Sequence, residues 1–309
     1  IPEDTIQPAQ DLPKADALTA PESARASELL RQTVLIKLNG GLGTGMGLEK
    51  AKSLLPVRGE DTFLDLIARQ ILRLRAQTGG EVPVFMLMNS FSTSADTAAH
   101  LEARFPQIGG REVWELMQNK VPKVLASTLE PAPLPANPEQ EWCPPGHGDI
   151  YACLAGSGWL ERLLASGVRY AFVSNSDNLG ATLDPAILAW FADSGMPFAM
   201  EVTRRTESDK KGGHLAVRLR DGRFLLRESA QCPKDDEKHF QDIERHRYFN
   251  TNNLWIDLVA LKAALAANDG LIPLPPIMNK KTVDPRDASS AAVIQLETAM
   301  GAAIECFAG

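Results

Sequence analysis

The sequence is short of aromatic residues, cysteine and positive charge, and each shortage excludes a class of protein. Aromatic residues make up 6% of the chain, and 32 lysines and arginines face 39 aspartates and glutamates, for a net charge of −7 over 309 residues. A polyanion such as DNA requires a basic face, so we do not expect a nucleic acid partner. The four cysteines, Cys143, Cys153, Cys232 and Cys306, are far apart and form no C-x-x-C pair. We therefore predict free thiols, with neither a zinc ribbon nor a disulfide framework.

Long apolar runs are also lacking. No stretch approaches the roughly 20 consecutive apolar residues that span a bilayer, and the acidic start, residues 1–4, is unlike a signal peptide. We expect a soluble, cytoplasmic protein with no membrane partner. The length suits one large domain with appendages, and nothing in the sequence predicts an oligomeric state.

Strands that alternate with helices predict an α/β fold. Three short apolar runs are typical of buried strands: 34–38, 84–88 and 170–173. Helices are predicted between and after them: 62–75, from the N-caps at 92–94 to 104, and from Pro185 to about 192. Such βαβ units favour a mixed, mainly parallel central sheet flanked by helices. A small antiparallel insert is predicted from 199–203, 215–219 and 224–226, with a hairpin turn at Asp221-Gly222.

A glycine-rich loop follows the first predicted strand. Residues 39–47, Asn-Gly-Gly-Leu-Gly-Thr-Gly-Met-Gly, hold five glycines in nine positions. The backbone N–H groups of such a loop approach a ligand closely and bind phosphate. The alternative is a flexible turn, which so many glycines would make entropically expensive. Met46 breaks both common phosphate patterns, G-x-G-x-x-G and G-x-x-x-x-G-K-[ST], which argues against nicotinamide oxidoreductases and P-loop kinases.

Charged residues near these strands suit a phosphate ligand and a metal ion. Lys50 and Lys52 follow the glycine loop, and lysine adds a point charge to a polyphosphate, although Lys50 is also typical of a solvated surface residue. Asp177 follows the strand 170–173, at the end where open α/β sheets bind ligands. A carboxylate there suits Mg²⁺, and the alternative is an Asx turn, which Asn175 or Asn178 would serve equally well.

At this point the residues resemble a known family. Residues 38–47 (LNGGLGTGMG) with Lys52-Ser53 are similar to the nucleotide-binding loop of the UTP–glucose-1-phosphate uridylyltransferases, also called UDP-glucose pyrophosphorylases. Five further blocks match in order: 87–91 (LMNSF), 144–150 (PPGHGDI), 174–180 (SNSDNLG), 249–255 (FNTNNLW) and 295–303 (QLETAMGAA). Because these blocks occur in order and are spread over most of the chain, the resemblance is far more specific than one loop.

The resemblance implies a Rossmann-like nucleotidyltransferase core that converts UTP and glucose 1-phosphate into UDP-glucose and pyrophosphate with Mg²⁺. The prolines and acidic residues of 1–22 predict an extended arm followed by a short helix to residue 30, so the catalytic domain is expected over 31–309. The attacking sugar phosphate is already anionic, so the chemistry reduces to positioning and charge neutralisation without a general base. This agrees with a site of glycines, lysine, aspartate and amides.

Carried over residue by residue, the family pattern predicts two groups of binding residues. The nucleotide-binding group is Leu38, Asn39, Gly40, Gly41, Lys52, Gln118, Gly146 and Asp177. The sugar-phosphate group is His147, Asn175, Gly213, Glu228, Asn250 and Asn252. Lys52 and Asp177 are the implied catalytic residues, and Asp177 is the implied Mg²⁺ ligand. Considered alone, Gln118 is typical of a surface residue, His147 of a turn, and Asn250 and Asn252 of a polar loop before a strand.

Two departures from the family pattern keep alternatives open. Residues 48–51 (Leu-Glu-Lys-Ala) differ from the more basic, proline-containing stretch of many members. The family also implies a later segment with a second catalytic lysine and a β-helical C-terminal domain, for which Lys280 and Lys281 are poor substitutes. The alternatives are therefore a UDP-sugar pyrophosphorylase of broader specificity and a non-catalytic nucleotide-sugar binding protein.

Overall fold

The computed structural model describes residues 1–42, 50–80, 82–284 and 287–307. The α-helices of these ranges are α1 (Ser23–Arg31), α2 (Phe63–Thr78), α3 (Ser94–Arg104), α4 (Arg111–Trp114), α5 (Ile150–Gly156), α6 (Trp159–Ala165), α7 (Pro185–Ser194), α8 (Glu237–Phe240) and α9 (Leu258–Ala267). In the described part of the chain, no helix is both long enough and apolar enough to cross a membrane.

The strands alternate with these helices along the chain. They are β1 (Ile6–Pro8), β2 (Thr33–Asn39), β3 (Pro56–Arg58), β4 (Asp61–Thr62), β5 (Val84–Asn89), β6 (Glu115–Met117), β7 (Val121–Pro122), β8 (Val124–Leu125), β9 (Trp142–Cys143), β10 (Tyr170–Asn175), β11 (Phe198–Arg204), β12 (His214–Arg218), β13 (Phe224–Arg227), β14 (Tyr248–Asp257), β15 (Pro276–Thr282) and β16 (Ala292–Thr298).

Local sequence chemistry explains where the longer helices begin and end. Thr62 and Asp65 form a capping box at the start of α2, and Gly79, in the left-handed conformation, ends that helix. Asp184 caps α7 directly before Pro185 at its first position. These boundaries agree with the helices expected from periodicity and capping residues.

The central sheet has a parallel half and an antiparallel half. Its main path runs β1-β12-β14-β10-β2-β5-β6, with β11 beside β14 and β13 beside β12. Strands β10, β2, β5 and β6 pair in parallel, whereas β14 pairs antiparallel with β10 and with β11. The predicted antiparallel strands therefore join the parallel sheet through β14. A separate three-stranded sheet has the order β15-β16-β8.

Alternate residues of β2 bury opposite faces of the sheet. Val34 and Ile36 belong to an apolar cluster with α5, α6 and α9, while Leu35 packs in a second cluster with α1, α2, α3 and α7. Helices thus cover both faces, which confirms the predicted fold class. The four cysteines are free thiols, as predicted, with Cys143 and Cys153 buried.

The N-terminal segment contributes to the sheet as well. Ile6, Gln7 and Pro8 pair antiparallel with β12, and Ile6 is buried. The sequence indicates only an extended arm here, because a three-residue strand becomes recognisable only beside its partner.

Candidate active site

An open cleft of about 900 Å³ lies at the carboxyl ends of the parallel strands. The ends of β2, β5 and β10 supply Leu38, Met88 and Asn175, and β16 supplies Gln295 and Glu297. Nine predicted site residues line it: Leu38, Gly40, Gly41, Lys52, Gln118, Gly146, His147, Asn175 and Asp177. Parallel sheets place ligands at this edge, where successive loops converge.

Gln118 is held between two glycines at one side of the cleft. Its Nε2 donates a hydrogen bond to the Gly146 carbonyl at 2.6 Å, and its side chain is buried. A Cβ atom on Gly40 would overlap Gln118 Oε1, and one on Gly146, whose φ is +81°, would lie 2.5 Å from the Thr298 carbonyl oxygen. Ser90 Oγ also donates to the Gly40 carbonyl at 2.8 Å. Gly146 therefore requires glycine, because its φ is positive and backbone lies close, whereas a Cβ on Gly40 could be accommodated only by moving the Gln118 amide.

Lys52 and Asp177 face each other across the opening of the same cleft. Lys52 Nζ lies 3.7 Å from Asp177 Oδ2, and the two side chains are 47% and 40% exposed. The Lys52 backbone N–H donates to the Gly41 carbonyl at 3.3 Å, which places the lysine beside the start of the glycine loop. An ion pair this exposed contributes little to stability, so both groups are available to new partners.

His147 is held in one tautomer by a bond to a distant segment. The Met300 backbone N–H donates to His147 Nδ1 at 3.0 Å, which leaves the ring proton on Nε2. Burial lowers the pKa of His147 to about 4, so the imidazole is neutral at pH 7. A neutral ring donor suits hydrogen bonding to an anionic ligand without proton transfer.

The remaining sugar-side residues form a second cluster, which we call the sugar-side cluster: Gly213, Glu228 and Asn250. A Cβ on Gly213 would lie 2.6 Å from both Glu228 carboxylate oxygens, and the Asn250 N–H donates to the Gly213 carbonyl at 3.0 Å. Burial raises the pKa of Glu228. These three residues do not line the cleft.

Asn252 connects the sugar-side cluster to the cleft. Its Nδ2 donates to Asn175 Oδ1 at 2.9 Å, and its backbone N–H donates to Asn250 Oδ1 at 2.9 Å. The residue has a φ of +61° at the irregularity where β14 shifts register against β11. Its Oδ1 is buried without a hydrogen-bond partner among the described residues.

Asn39 lies beneath the cleft and does not line it. Its Nδ2 donates to Asn89 Oδ1 at 2.7 Å and to Thr97 Oγ1 at 3.0 Å, and its own Oδ1 accepts from Ser176 Oγ at 3.2 Å. The side chain therefore connects the ends of β2, β5 and β10. Residues 43–49, which include most of the glycine loop, lie outside the described residues.

Several lining residues were not among the predicted site residues. Lys123 is buried, its Nζ donates to the Val283 carbonyl at 2.9 Å, and burial lowers its pKa. Nearby, burial raises the pKa of Cys143 to about 11. Gln295 and Glu297 lie within the QLETAMGAA block, so a signal for them was present in the sequence. Lys123 and Cys143 had no such signal.

Comparisons with known proteins bear directly on this cleft. The family model described as UTP–glucose-1-phosphate uridylyltransferase matches residues 1–309. The chain belongs to this family. The uridylyltransferase of Saccharomyces cerevisiae is 43% identical over 281 residues, which cover 91% of this chain and 55% of that protein. The Solanum tuberosum enzyme is 40% identical over 287 residues, covering 93% of this chain and 58% of that protein.

Solved structures of the family are similar as well. A UDP-glucose pyrophosphorylase variant from Leishmania major, solved in complex with UDP-glucose, is 52% identical with a TM-score of 0.91 and covers 99% of this chain and 66% of that one. A Trypanosoma brucei structure is 51% identical with a TM-score of 0.92, covering 99% of this chain and 65% of that one. The chain thus spans between half and two thirds of the length of these relatives.

The motif blocks of the uridylyltransferase family meet at the cleft. Thr298, in the QLETAMGAA block, donates its backbone N–H to the Pro145 carbonyl at 2.8 Å, and Gln118 donates its backbone N–H to the Asn89 carbonyl at 2.7 Å. Blocks far apart in sequence are therefore joined by direct hydrogen bonds around one opening.

Proposed function

We propose that the cleft transfers a uridylyl group from UTP to glucose 1-phosphate, which produces UDP-glucose and pyrophosphate. The observation that carries the proposal is the position of Gln118, fixed between Gly40 and Gly146, in the same cleft as the Lys52–Asp177 pair. A base-reading amide and a phosphate-binding pair in one opening suit a nucleoside triphosphate.

Gln118 suits uracil by its hydrogen-bonding pattern. A primary amide offers one acceptor and one donor side, which match the N3–H and a carbonyl of uracil. Cytosine presents an acceptor and an amino group at those positions, so a fixed amide discriminates against it. The Gly146 carbonyl fixes the amide by accepting from Nε2 at 2.6 Å. This arrangement favours UTP over CTP.

The transfer itself needs positioning and neutralisation of charge. A phosphate oxygen of glucose 1-phosphate forms a bond to the α-phosphorus of UTP, and the bond from that phosphorus to the oxygen shared with the β-phosphate breaks. Pyrophosphate leaves with that bonding pair. Lys52, whose ammonium is 47% exposed in the cleft, neutralises phosphate charge as it develops.

Asp177 is the residue that would hold Mg²⁺. Its carboxylate is 40% exposed at the cleft, and Lys52, 3.7 Å away, is a loose partner that a cation replaces easily. In the described part of the chain no group of three or more His, Cys, Asp or Glu side chains could hold a metal, so substrate phosphates would complete the coordination. When bound, Mg²⁺ supplies neutralisation of phosphate charge.

The sugar phosphate is assigned to the other side of the cleft. The neutral His147 ring lines it, and Asn175 is bonded to Asn252, whose Oδ1 is an unused acceptor. Glu228 and Asn250 lie behind this lining, and they offer a carboxylate and an amide to sugar hydroxyls. We assign these residues to glucose recognition.

Pyrophosphate release by the 309-residue chain tests the proposal. UTP, Mg²⁺ and glucose 1-phosphate are supplied together, with galactose 1-phosphate, CTP and a chelator as comparison arms. We expect release that requires UTP, glucose 1-phosphate and the metal. Equal rates with galactose 1-phosphate would instead support a broader UDP-sugar enzyme. Binding of UDP-glucose without any release would support a non-catalytic relative and contradict the proposed reaction.

A further inference from the structure

Lys37 carries a charge in the core, on the face of β2 that points away from the cleft. Its side chain is 1% exposed and follows Leu35, which packs with Phe172 in the cluster under α2 and α7. Removing an ammonium from water costs several kcal/mol unless other groups compensate. An apolar residue like Leu35 would fill such a position without that cost, so the charge requires an explanation.

The ammonium binds the far end of the segment that carries Asp177. Lys37 Nζ donates to Ser174 Oγ at 2.8 Å and to the Ala181 carbonyl at 2.7 Å. Ala181 lies in the connection between β10 and α7, residues 176–184, which we call the Asp177 turn. One buried side chain thus holds the turn four residues beyond the carboxylate.

Strand β2 also holds the near end of the same turn. The Ser176 backbone N–H donates to the Leu38 carbonyl at 3.1 Å, and Ser176 Oγ donates to Asn39 Oδ1 at 3.2 Å. Asp177 therefore lies between two attachments to consecutive residues of one buried strand. Fixing both ends of a short turn restricts where its carboxylate can point.

At the far end of the turn, apolar packing and the Lys37 bond act together, because Ala181 and Leu183 belong to the buried cluster that contains Leu35. A cavity of about 170 Å³ lies between α2 and the turn, lined by residues that include Ile71, Lys37, Ala181 and Leu183. The Ala181 carbonyl is thus held by a directed bond beside a gap. A directed bond fixes a backbone position more closely than loose apolar contact does.

The charge of Glu201 favours the ammonium form of Lys37. The Glu201 carboxylate accepts from Asn253 Nδ2 at 3.0 Å and from Trp255 Nε1 at 2.8 Å. Burial lowers the pKa of Lys37 to about 8, while the charge of Glu201 acts in the opposite direction. Lys37 is therefore mainly an ammonium at pH 7.

We propose that Lys37 is a positioning residue, whose buried ammonium holds the Asp177 turn so that the carboxylate is aimed into the cleft. The role rests on the proposed uridylyl transfer. Lys37 does not line the cleft, and it acts through the Ala181 carbonyl.

Lys37→Met tests this role because methionine keeps the length of the side chain and removes the donor. We expect kcat to fall about 10- to 100-fold, as for other residues that orient metal ligands, and the half-saturating Mg²⁺ concentration to rise. The KM for UTP should change less than about threefold, because Gln118 is untouched. Amide hydrogen exchange should become faster within residues 176–184. Ser174→Ala is the matched control, since it removes the other Lys37 acceptor and leaves Ala181 held.

The outcomes separate positioning from a general role in the core. Two results would overturn the proposal. One is amide hydrogen exchange within residues 176–184 of Lys37→Met that is as slow as in the parental chain. The other is an equal loss of kcat in Lys37→Met and Ser174→Ala. If Lys37→Met does not fold, Lys37→Gln, which keeps an N–H donor on a shorter stem, is measured by the same readouts and should show a smaller loss. If the parental chain releases no pyrophosphate, the proposed reaction fails, and hydrogen exchange in 176–184 still decides whether Lys37 holds the turn.

Discussion

The proposed nucleotide side and the proposed sugar side of the cleft are built in different ways. On the nucleotide side, Gly40, Gln118 and Gly146 are in direct contact and line the cleft. On the proposed sugar side, Gly213 and Glu228 contact each other behind the lining. They are connected to the cleft through Asn250 and the Asn252–Asn175 bond. The proposed nucleotide side thus lines the cleft directly, whereas the proposed sugar side is connected to it by a series of hydrogen bonds.

This difference follows from the two halves of the sheet. The proposed nucleotide side uses residues that follow parallel strands β2 and β6, Gly40 and Gln118, at the edge of the sheet where loops converge. The sugar side uses antiparallel strands β12 and β14, and its bridge depends on the irregularity at Asn252. Parallel strand ends therefore create a binding surface, whereas antiparallel strands need a bulge to turn a side chain into it.

The largest effect should come from substituting Lys52 or Asp177, the pair proposed to act at the phosphates. Asp177→Asn and Lys52→Ala should each lower turnover by about 100-fold or more, because the first weakens the proposed Mg²⁺ site and the second removes a positive charge from the phosphates. Folding should be intact, since both side chains are about half exposed. Pyrophosphate release measures the effect, and Lys50→Ala, at an exposed lysine two residues earlier, is the control. Near-parental rates in both variants would remove these residues from the site.

A smaller effect is expected from a substitution on the proposed nucleotide side, and it should appear in the KM for UTP. Gly40→Ala places a methyl group on Gln118 Oε1 and displaces the amide, so the KM for UTP should rise about tenfold, as expected for the loss of one to two hydrogen bonds. Discrimination against CTP should weaken as well. Gly156→Ala, in α5 and outside the cleft lining, is the matched control, because a Cβ there meets no described atom within 4 Å. Equal KM values in the two variants would contradict the role of Gln118.

A substitution on the proposed sugar side should have a still smaller effect, on the KM for glucose 1-phosphate and not on the KM for UTP. Gly213→Ala brings a methyl group 2.6 Å from the Glu228 carboxylate, which must move. The KM for glucose 1-phosphate should rise roughly 3- to 10-fold, equivalent to about one hydrogen bond, while that for UTP stays unchanged. Steady-state kinetics with each substrate varied in turn measure this, beside Gly156→Ala in α5, where a Cβ meets no described atom. A rise in the KM for UTP of the same size would argue that the two sides are not separate.

The smallest effect concerns stability against pH. His147 has a folded-state pKa of about 4 against an ordinary value of 6.5, so the unfolded chain binds more protons between these values. Stability should therefore fall as the pH drops from 7 to 5, and His147→Gln should reduce this loss by up to about 2 kcal/mol. Urea unfolding of both proteins at the two pH values measures it. His214 and His246, whose pKa values are also lowered, contribute equally to both chains. An identical pH dependence would contradict a buried neutral His147.

Local patterns predicted much of the parallel half of the fold. The apolar run in β2, the capping residues of α2 and the Asp184-Pro185 start of α7 are signals contained within a few residues. The α5 and α6 helices were not predicted from the sequence. Each is only seven residues long, which leaves little periodicity to recognise.

Contacts between distant residues account for what the sequence could not predict at the site. The His147–Met300 bond joins residues 153 positions apart, and Lys37 meets Ala181 across 144 positions. No local pattern distinguishes a lysine that holds a turn from one in solvent. The side chains named by family resemblance stay predictions until variants are measured.

Calorimetry of UDP and UDP-glucose tests the division of the cleft most directly, because binding does not depend on turnover. The parental chain, Gly40→Ala and Gly213→Ala are each titrated with both ligands. We predict that Gly40→Ala weakens both ligands equally, whereas Gly213→Ala leaves UDP unchanged and removes only the extra affinity of UDP-glucose. Equal weakening of UDP by the two variants would contradict a nucleotide side and a sugar side that act separately.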